Sequence, residues 1–480
     1  MRTNLVRCAS GLLGLGLLIW TSISFAQPPA SRQAIAITDV TIVDVEHGRL
    51  LEPRTVLIDD GRIVAISAPR DAAIPASAQR IDGHGRFLIP GLVDMHVHLF
   101  NLSSHRPPND WTFPLFVVNG VLSIRDMRAD AASMLLTKRW RKALADGELV
   151  APRILADGIA VFGSSPEDAA HQVDAAADAG AEFIKVFSEG PAAHWRAIIQ
   201  QARLRSLPVV GHVPAGVSLL EAAQAGQRSD EHLTQAYEAC SSIEARLLSE
   251  REGLGGDALV ERSSKQEPLT LTTFDSGTCQ RAAKQLAATS QVLVPTLVLA
   301  DEDTFAGNAH PEADPRWRYL RADERSRWLR IRASYSDNDA ALARQRWPVA
   351  RHIVSIMQQA GVPIMAGTDT PMPGVYPGFS LLEELQLLVD AGFTPLQALR
   401  SATLEPARFL GIADTAGSVA VGKRADLVLL DADPSRDIAN TRRIRAVVLD
   451  GRLLRRADLD ALLAHAARLQ ALPAAGSDPH

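Results

Sequence analysis

Eight short apolar runs occupy the middle of the chain, and each is followed by a stretch rich in Ala, Leu and Arg. The runs read LIPGLVDMHV, GVLSIRDM, PRILADGIAV, AEFIKVF, LPVVGHV, QRSDEHL, VLVPTLVLA and VPIMAGTD. Apolar runs that alternate with helical stretches are typical of strands in a parallel sheet. Eight of them predict an α/β chain with a closed (β/α)8 TIM barrel, which we expect over residues 88–410.

Two segments within that span interrupt the alternation, and we expect insertions at about 234–291 and 301–349. The second contains PRWRYLRADERSRWLRIRASY, which is dense in Arg and Trp. Two interpretations of it remain open. It is either a solvated helix whose tryptophans pack on the barrel or a lid over the strand ends, since long insertions often cover active sites.

Both ends of the chain alternate β-branched apolar residues with polar ones. Residues 34–66 contain an Asp-Gly turn signal at Asp60, and residues 423–454 contain another at Asp450. This pattern predicts short antiparallel strands joined by tight turns. We expect the strands from the two ends to share one sheet.

The first 26 residues predict a signal peptide. Two arginines precede the apolar run CASGLLGLGLLIW, and the segment ends in the small-x-small pattern Ser-Phe-Ala at Ala26. Because spanning a bilayer takes roughly 20 apolar residues, cleavage after Ala26 is favoured over an uncleaved anchor. We therefore expect a periplasmic or secreted protein without stable membrane insertion.

In an oxidising compartment Cys240 and Cys279 predict a disulfide, with two small buried thiols as the alternative.

Composition and charge exclude several classes of protein. Apolar residues make up 46% of the chain and charged residues 22%, which excludes a disordered chain and a polytopic membrane protein. Lys and Arg total 50 against 55 Asp and Glu, for a net charge of −5. The chain has no basic block that could neutralise a row of phosphates, so we do not expect nucleic acid as a partner.

Histidines and other titratable residues stand at the ends of the predicted barrel strands. His96 and His98 are two residues apart, so both side chains point to one face of a strand and can share a divalent metal ion. Four later runs end in Lys185, His212, His232 and Asp369. Because active sites of such barrels form at the carboxyl ends of the strands, we expect all six side chains to meet there.

Lys185 cannot bind a metal as an ammonium ion, and two roles remain open for it. In its strand it shares a face with Phe183 and Phe187, and this face projects into the barrel. Desolvation lowers a lysine pKa enough for the amine to add carbon dioxide, and the resulting carbamate can bridge two divalent ions. The alternative is an unmodified lysine that pairs with Asp369 or Glu189.

Asp369 follows an Ala-Gly-Thr run whose small residues permit close approach of the backbone. A carboxylate beside a metal-bound water can both bind the metal and take the proton of the water. We therefore predict Asp369 as a metal ligand and as the general base, with Glu231 and Asp126 as the next candidates for the base. Two prolines that follow Asp369 weaken its alternative role as a helix N-cap.

Together these residues resemble the amidohydrolase superfamily. The motifs that carry the resemblance are PGLVDMHVH, IKV, the two later strand-end histidines, GTDT and GSVAVGKRADLVLLD, within residues 35–455. The IKV form and the length resemble the branch of imidazolonepropionase-like enzymes and binuclear prolidase-like dipeptidases, including relatives that cleave aromatic amide conjugates. The resemblance implies a TIM barrel at 88–410 and a small β-sandwich built from 27–87 and 411–480, the latter with a C-terminal tail.

The resemblance also implies a site with two divalent metal ions. His96, His98 and Asp369 would hold one ion and His212 and His232 the other. Carboxylated Lys185 would bridge them. Zinc is the default metal for this mixture of imidazole and carboxylate ligands, which also suits manganese, cobalt and iron.

Two loops depart from the superfamily pattern. Many relatives carry Gly-Gly-His after the third strand, where this chain reads GIAVFG at 158–163. Relatives also often carry Ser-Leu-His after the eighth strand, where this chain reads SLLE at 380–383. Both departures fall where substrate-binding loops are expected, so the metal chemistry carries over better than the substrate specificity.

The leading functional interpretation is a secreted metal-dependent amidohydrolase that cleaves amide C–N bonds with a metal-bridging hydroxide. Its small-molecule substrate would be of the dipeptide or N-acyl amino acid type. The alternatives are a lactonase or phosphotriesterase on the same centre and a noncatalytic barrel protein, against which the six filled ligand positions argue. The oligomeric state stays open, a homo-oligomer included.

Overall fold

The computed structural model describes residues 33–100, 106–188, 190–304 and 310–471. The predicted signal peptide at 1–26 and the end of the predicted C-terminal tail lie outside these residues. None of the helices in the described ranges combines the length and apolarity that crossing a bilayer requires.

Strands predominate near both ends of the described chain, and strands alternate with helices between them. The strands are β1 (Ile35–Asp44), β2 (Arg49–Leu50), β3 (Arg54–Asp59), β4 (Arg62–Ser67), β5 (Gln79–Asp82), β6 (Phe87–Pro90), β7 (Leu92–Val97), β8 (Val121–Ala129), β9 (Arg153–Ala160), β10 (Phe183–Val186), β11 (Val209–Gly211), β12 (Ser229–Glu231), β13 (Val292–Val294), β14 (Leu427–Leu430), β15 (Ile444–Leu449) and β16 (Arg452–Arg455). The helices are α1 (Phe113–Val118), α2 (Ala131–Ala145), α3 (Pro166–Ala179), α4 (Ala192–Leu204), α5 (Leu219–Ala225), α6 (Thr234–Ala239), α7 (Glu244–Ser249), α8 (Gly256–Thr272), α9 (Ser276–Leu286), α10 (Leu297–Asp303), α11 (Ala322–Ser334), α12 (Asp337–Gln359), α13 (Phe379–Asp390), α14 (Pro395–Ser401), α15 (Leu404–Phe409) and α16 (Arg456–Ala471).

Strands from both chain ends share one sheet, as the sequence predicts. Its strand order is β16-β15-β14-β6-β1-β3-β4, and β2 and β5 also pair with β1. The predicted Asp-Gly turns close the antiparallel hairpins β3–β4 and β15–β16. Asp60 and Gly61 have φ values of 43° and 70°, and Asp450 and Gly451 have 49° and 71°. Left-handed φ at both turn residues matches the twist of the flanking strands, which is why Asp-Gly suits these positions.

The middle of the chain forms a curled parallel sheet within an α/β fold. Parallel pairing runs without interruption from β7 through β8, β9 and β10 to β11. A bridge between Val209 and Gln227 leads to the parallel pair β12–β13. Seven of the eight apolar runs therefore contain strands where the alternation predicts them.

The eighth run, VPIMAGTD, departs from the prediction because it forms no regular strand. Single parallel bridges join this segment to its neighbours, from Ile364 to Leu293 of β13 and, one residue beyond the run, from Thr370 to Val97 of β7. The left-handed φ of 64° at Asp369 breaks the extended backbone. A Cβ on Gly367 would lie 2.6 Å from Val294 Cγ1 and 3.0 Å from His96 Cβ, so the small residue permits the close approach that the sequence predicts.

The main hydrophobic core lies between the parallel strands and the helices that cover them. Ile124 of β8 and Ile184 of β10 belong to the same buried cluster as Val173 of α3, Ile198 of α4 and Ile353 of α12. Burial of this apolar surface is the main favourable contribution to folding. The arrangement leaves the carboxyl ends of the strands for polar side chains.

The two segments expected to be insertions are largely helical. Residues 234–291 contain α6 to α9, and a disulfide joins Cys240 at the end of α6 to Cys279 in α9, as predicted. Within 301–349, Trp328 of α11 is fully buried, and its ring lies 4.9 Å from that of Tyr376 and 6.1 Å from that of Trp317. The stretch is thus packed within itself and on the loop that follows Asp369, and both interpretations of it remain open.

We expect Cys240 and Cys279 to be linked in exported protein and to stabilise it. Their separation of 39 residues closes a loop in the unfolded chain, and such cross-links typically add about 2–4 kcal/mol to the free energy of unfolding. Peptide mapping by mass spectrometry without reductant checks the link, and denaturant unfolding of the double variant Cys240→Ser, Cys279→Ser checks the stabilisation. Two free thiols in normally exported protein would contradict the prediction.

Candidate metal centre

Each predicted site residue stands at the carboxyl end of a parallel strand or in the segment that bridges them. His96 and Lys185 lie in β7 and β10, His98 follows β7, His212 follows β11, His232 follows β12, and Asp369 lies in the eighth run. Five of them form one chain of contacts. The imidazole rings of His96 and His232 are 4.7 Å apart and those of His232 and His212 are 4.9 Å apart.

Asp369 links His96 to His98 and so joins His98 to the chain of contacts. Its Oδ1 lies 2.8 Å from His98 Nε2 and 3.2 Å from His96 Nε2. Burial favours the neutral form of this carboxyl group, but the charge of His96 and the close approach of both imidazoles outweigh it and hold the pKa of Asp369 well below its usual range. The carboxylate is therefore ionised at neutral pH.

Single ligand atoms of His96, His232 and Asp369 all lie within 4.8 Å of one another, close enough for one metal ion to contact all three. Desolvation lowers the pKa of His232 to about 3 and holds the pKa values of His98 and His212 below normal, so these imidazoles keep a free lone pair. Burial alone would lower the pKa of His96 too, but Asp369 raises it. The negative charge of Asp369 therefore favours a positive charge near His96 Nε2, either a proton or a metal cation.

Hydrogen bonds from outside the cluster orient two of the rings. Glu231 Oε2 lies 2.9 Å from His96 Nδ1, so that nitrogen donates and Nε2 is left to face Asp369. Thr296 Oγ1 lies 2.8 Å from His232 Nδ1 and likewise leaves its Nε2 toward the cluster. Partners of this kind hold metal-binding histidines in one tautomer and one orientation.

Glu231 is itself held from several directions. Its Oε1 accepts hydrogen bonds from Arg125 Nη2 at 2.8 Å and from Ser229 Oγ at 2.5 Å. Burial would raise the pKa of Glu231, yet the Arg125 guanidinium and His96 keep it far below normal. An ionised carboxylate with these three partners orients His96 and is poorly placed to serve as a mobile base.

The carboxylate of Asp126, the other candidate base, accepts hydrogen bonds from the backbone. Its Oδ1 accepts a hydrogen bond of 2.6 Å from Leu99 N, and Arg128 N donates to its Oδ2. Burial and the neighbouring carboxylate of Asp157 raise its pKa well above normal. Asp126 thus supports the loop that follows His98.

Lys185 is fully buried, and its Nζ has no hydrogen-bond partner among the described residues. The ammonium nitrogen lies 5.1 Å from the centre of the Phe187 ring, which in turn lies 5.2 Å from the ring of His212. Desolvation lowers the pKa of Lys185 to about 8, although Glu231 and Asp369 favour its charged form. The alternative partner Glu189 lies outside the described residues.

The segment around Asp369 is fastened on both sides. Asp94 accepts hydrogen bonds from Thr368 Oγ1 at 2.7 Å and from the backbone nitrogens of Thr368 and His96 at 3.1 and 3.2 Å. On the other side, Arg332 of α11 donates a hydrogen bond of 3.0 Å to the carbonyl of Pro373, and Arg327 of α11 donates to the carbonyl of Pro371. These contacts fix the backbone that presents the Asp369 carboxylate.

Sequence reasoning missed Arg125 and Thr296 as parts of the site. Arg125 is a cation inside the apolar run GVLSIRDM, and this signal could have marked it as a buried partner. Thr296 has no such signal, because its place depends on a φ of 45° after β13. His232, Leu233 and Asp369 also have left-handed φ values, between 63° and 69°. Strained backbone of this kind often gathers at functional sites.

Known proteins of related sequence include imidazolonepropionases. The imidazolonepropionase of Ralstonia nicotianae is 26% identical over 414 residues, which cover 80% of this chain and 88% of that protein. A shorter match to the imidazolonepropionase of Idiomarina loihiensis is 40% identical over 63 residues, and there the chain spans only 15% of the relative's length.

Solved structures share the fold over most of the chain. Bottromycin amidohydrolase aligns with a TM-score of 0.69 at 22% identity, covering 93% of this chain and 92% of that one. An Xaa-Pro dipeptidase with methionine bound in its active site aligns with a TM-score of 0.62 at 19% identity, covering 88% of this chain and all of that one. These similarities concern the fold.

The family model described as the amidohydrolase family matches residues 87–454, which include strands β7 to β13 and all six predicted site residues. Because this match spans well over half of the sequence, the chain belongs to the amidohydrolase family.

Proposed function

We propose that the chain is a metal-dependent hydrolase of amide C–N bonds that acts on dipeptides or N-acyl amino acids. The observation that carries the proposal is the convergence of four imidazoles and an ionised carboxylate beside a fully buried lysine. Membership of the amidohydrolase family supports hydrolysis of C–N bonds. The predicted signal peptide supports action in the periplasm or outside the cell.

The proposal includes the finer fold that the sequence predicts. The curled sheet is a (β/α)8 barrel in which the eighth run fills the gap between β13 and β7. Its bridges at Ile364 and Thr370 support this closure. The shared sheet of the two chain ends folds over its own buried cluster, which includes Ile37, Leu88 and Leu427, as the small β-sandwich.

Two divalent ions fit the donors of this site, with zinc as the default metal. His96, His98 and Asp369 would hold one ion, and His212 and His232 the other. Imidazole and carboxylate donors suit zinc, and three of the histidines are neutral. Cations bound here would act as Lewis acids toward the scissile carbonyl and would supply a nucleophilic water at neutral pH.

Lys185 in this proposal carries a carbamate. A neutral Nζ forms a C–N bond to carbon dioxide and loses one proton, which yields an anion with two oxygen donors. The buried and unpartnered nitrogen supports this assignment, because a carbamate could reach both halves of the site whereas an ammonium ion would repel cations.

Asp369 holds and moves the proton during hydrolysis. Its carboxylate is ionised, and its backbone is fastened by Asp94, Arg327 and Arg332 through the neighbouring residues. It can therefore accept the proton of the attacking water and deliver it to the leaving nitrogen. Glu231 and Asp126 cannot do so without giving up the hydrogen bonds that hold His96 and Leu99.

Metal content tests the proposed pair of divalent ions. Purified mature protein should contain close to two divalent ions per chain, and chelation should abolish activity until metal is restored. His96→Ala should lose both metal and activity, whereas the exposed His352→Ala should keep both. Elemental analysis beside an amidase assay measures the two quantities. A single ion in fully active protein would contradict the bridging role of Lys185.

Replacement of Lys185 tests the carbamate. Lys185→Ala should abolish activity because the two oxygen donors of the carbamate are lost. Short carboxylic acids added to this variant should restore part of the activity. Activity and metal content are measured with and without acetate or propionate, with the exposed Lys265→Ala as the control. A fully active Lys185→Met would show that the lysine is only structural.

Replacement of Asp369 tests the general base. Asp369→Asn keeps the size of the side chain but cannot accept a proton, and loss of a positioned base typically costs about 10²- to 10⁴-fold in rate. Part of the metal should remain, because the amide oxygen is still a donor. Steady-state kinetics and metal analysis check both, with the exposed Asp390→Asn as the matched control. A variant within about threefold of wild type would remove Asp369 as the base.

A further inference from the structure

Two phenylalanines extend from the candidate metal centre to the surface. Phe187 directly follows β10, and its ring meets that of His212 at 5.2 Å and an interplanar angle of 72°. Phe162 lies in the loop after β9 and stacks on Phe187, with ring centres 5.1 Å apart and an interplanar angle of 13°. Half of the Phe162 surface is exposed, at 50%. We call these two residues the aromatic wall.

The loop that carries Phe162 is held in place. The backbone nitrogens of Phe162 and Gly163 donate hydrogen bonds of 3.2 and 3.3 Å to Gln172 Oε1 of α3. Gly163 has a φ of 69°, and a Cβ there would lie 2.5 Å from the Cβ of Ala169. These contacts hold the backbone that carries the exposed ring against α3.

Scattered exposed apolar side chains are normal on protein surfaces and need no explanation. The aromatic wall differs because its inner ring contacts the side chains of His212 and Lys185, which we assign to the metal centre. The guanidinium of Arg128 also lies 5.2 Å from the centre of the Phe187 ring. Phe162 therefore extends a surface that begins at the proposed reacting centre.

We propose that the aromatic wall binds a planar aromatic ring of the substrate, an inference that rests on the proposed amidase function. The ring of Phe187 packs against His212, so the exposed part of Phe162 is the surface that contacts the ligand. It stands where the superfamily pattern places a histidine-bearing loop, and an apolar ring there favours an apolar group. Two ring contacts separate it from His212.

Matched ligands that differ only in planarity test the aromatic wall. N-benzoylglycine is compared with N-cyclohexanecarbonylglycine, and N-acetylphenylalanine with N-acetylcyclohexylalanine, so that the ring stands on the acyl side in one pair and on the amine side in the other. We measure kcat/KM for hydrolysis by the metal-loaded mature protein. We also measure the Kd of the products benzoate, cyclohexanecarboxylate, phenylalanine and cyclohexylalanine by calorimetry.

Wild-type protein should favour the aromatic member of at least one pair about 3- to 10-fold, the contribution expected of aromatic stacking. Phe162→Leu keeps an apolar side chain but removes the ring, and it should bring the ratio of aromatic to cyclohexyl ligand close to one. Phe162→Trp should retain the preference. Leu204→Ala, which changes an apolar side chain that is 71% exposed at the end of α4, is the matched control and should alter neither ligand.

An unchanged aromatic preference in Phe162→Leu, or no preference in wild type, would overturn the aromatic wall. Hydrolysis of both members of each pair at equal rates in both proteins would do so while leaving the amidase function intact. Conversely, product binding that depends on Phe162 in a protein without amidase activity would overturn the proposed function and support the aromatic wall as a binding site.

Discussion

The buried carboxylate of Glu231 is the group on which the rest of the site depends. It meets Arg125 at 2.8 Å and His96 at 2.9 Å, and all three side chains are almost completely buried. A charge in such a place is costly unless it is paired, and removal of one partner from a buried pair typically costs about 3–5 kcal/mol. Glu231 therefore couples β12 to β7 and β8, and it fixes the ring of His96. Asp369 then takes its position against a histidine that cannot turn.

Local pattern predicts much of this fold because strands and turns depend on nearby residues. The alternation of apolar and helical stretches identifies seven parallel strands, and the turns at Asp60 and Asp450 have the conformation that Asp-Gly favours. Five of the six predicted site residues contact one another in a chain, since each stands where an apolar run ends. The eighth run fails as a strand because its pairing depends on close approach at Gly367 and on the backbone of Asp369.

Other parts of the site could not be predicted, because their partners are far apart in the sequence. Thr368 and Asp94 are 274 residues apart, and His232 and Thr296 are 64 residues apart. Their contacts exist only once the parallel strands have curled around a common centre. The stacking of Phe162 on Phe187 is of the same kind, since the two rings come from loops after different strands. No spacing along the chain marks these pairs.

The contacts between α11 and the loop after Asp369 have an evolutionary consequence. Arg332 donates to Glu302 and to the carbonyl of Pro373, and Gly374 approaches Glu302 so closely that any Cβ would collide with it. A loop transplanted from a family member that lacks this helix would leave guanidinium and carbonyl groups without partners. We therefore expect an exchanged loop beyond Asp369 to keep all its polar partners only when α11 is exchanged with it.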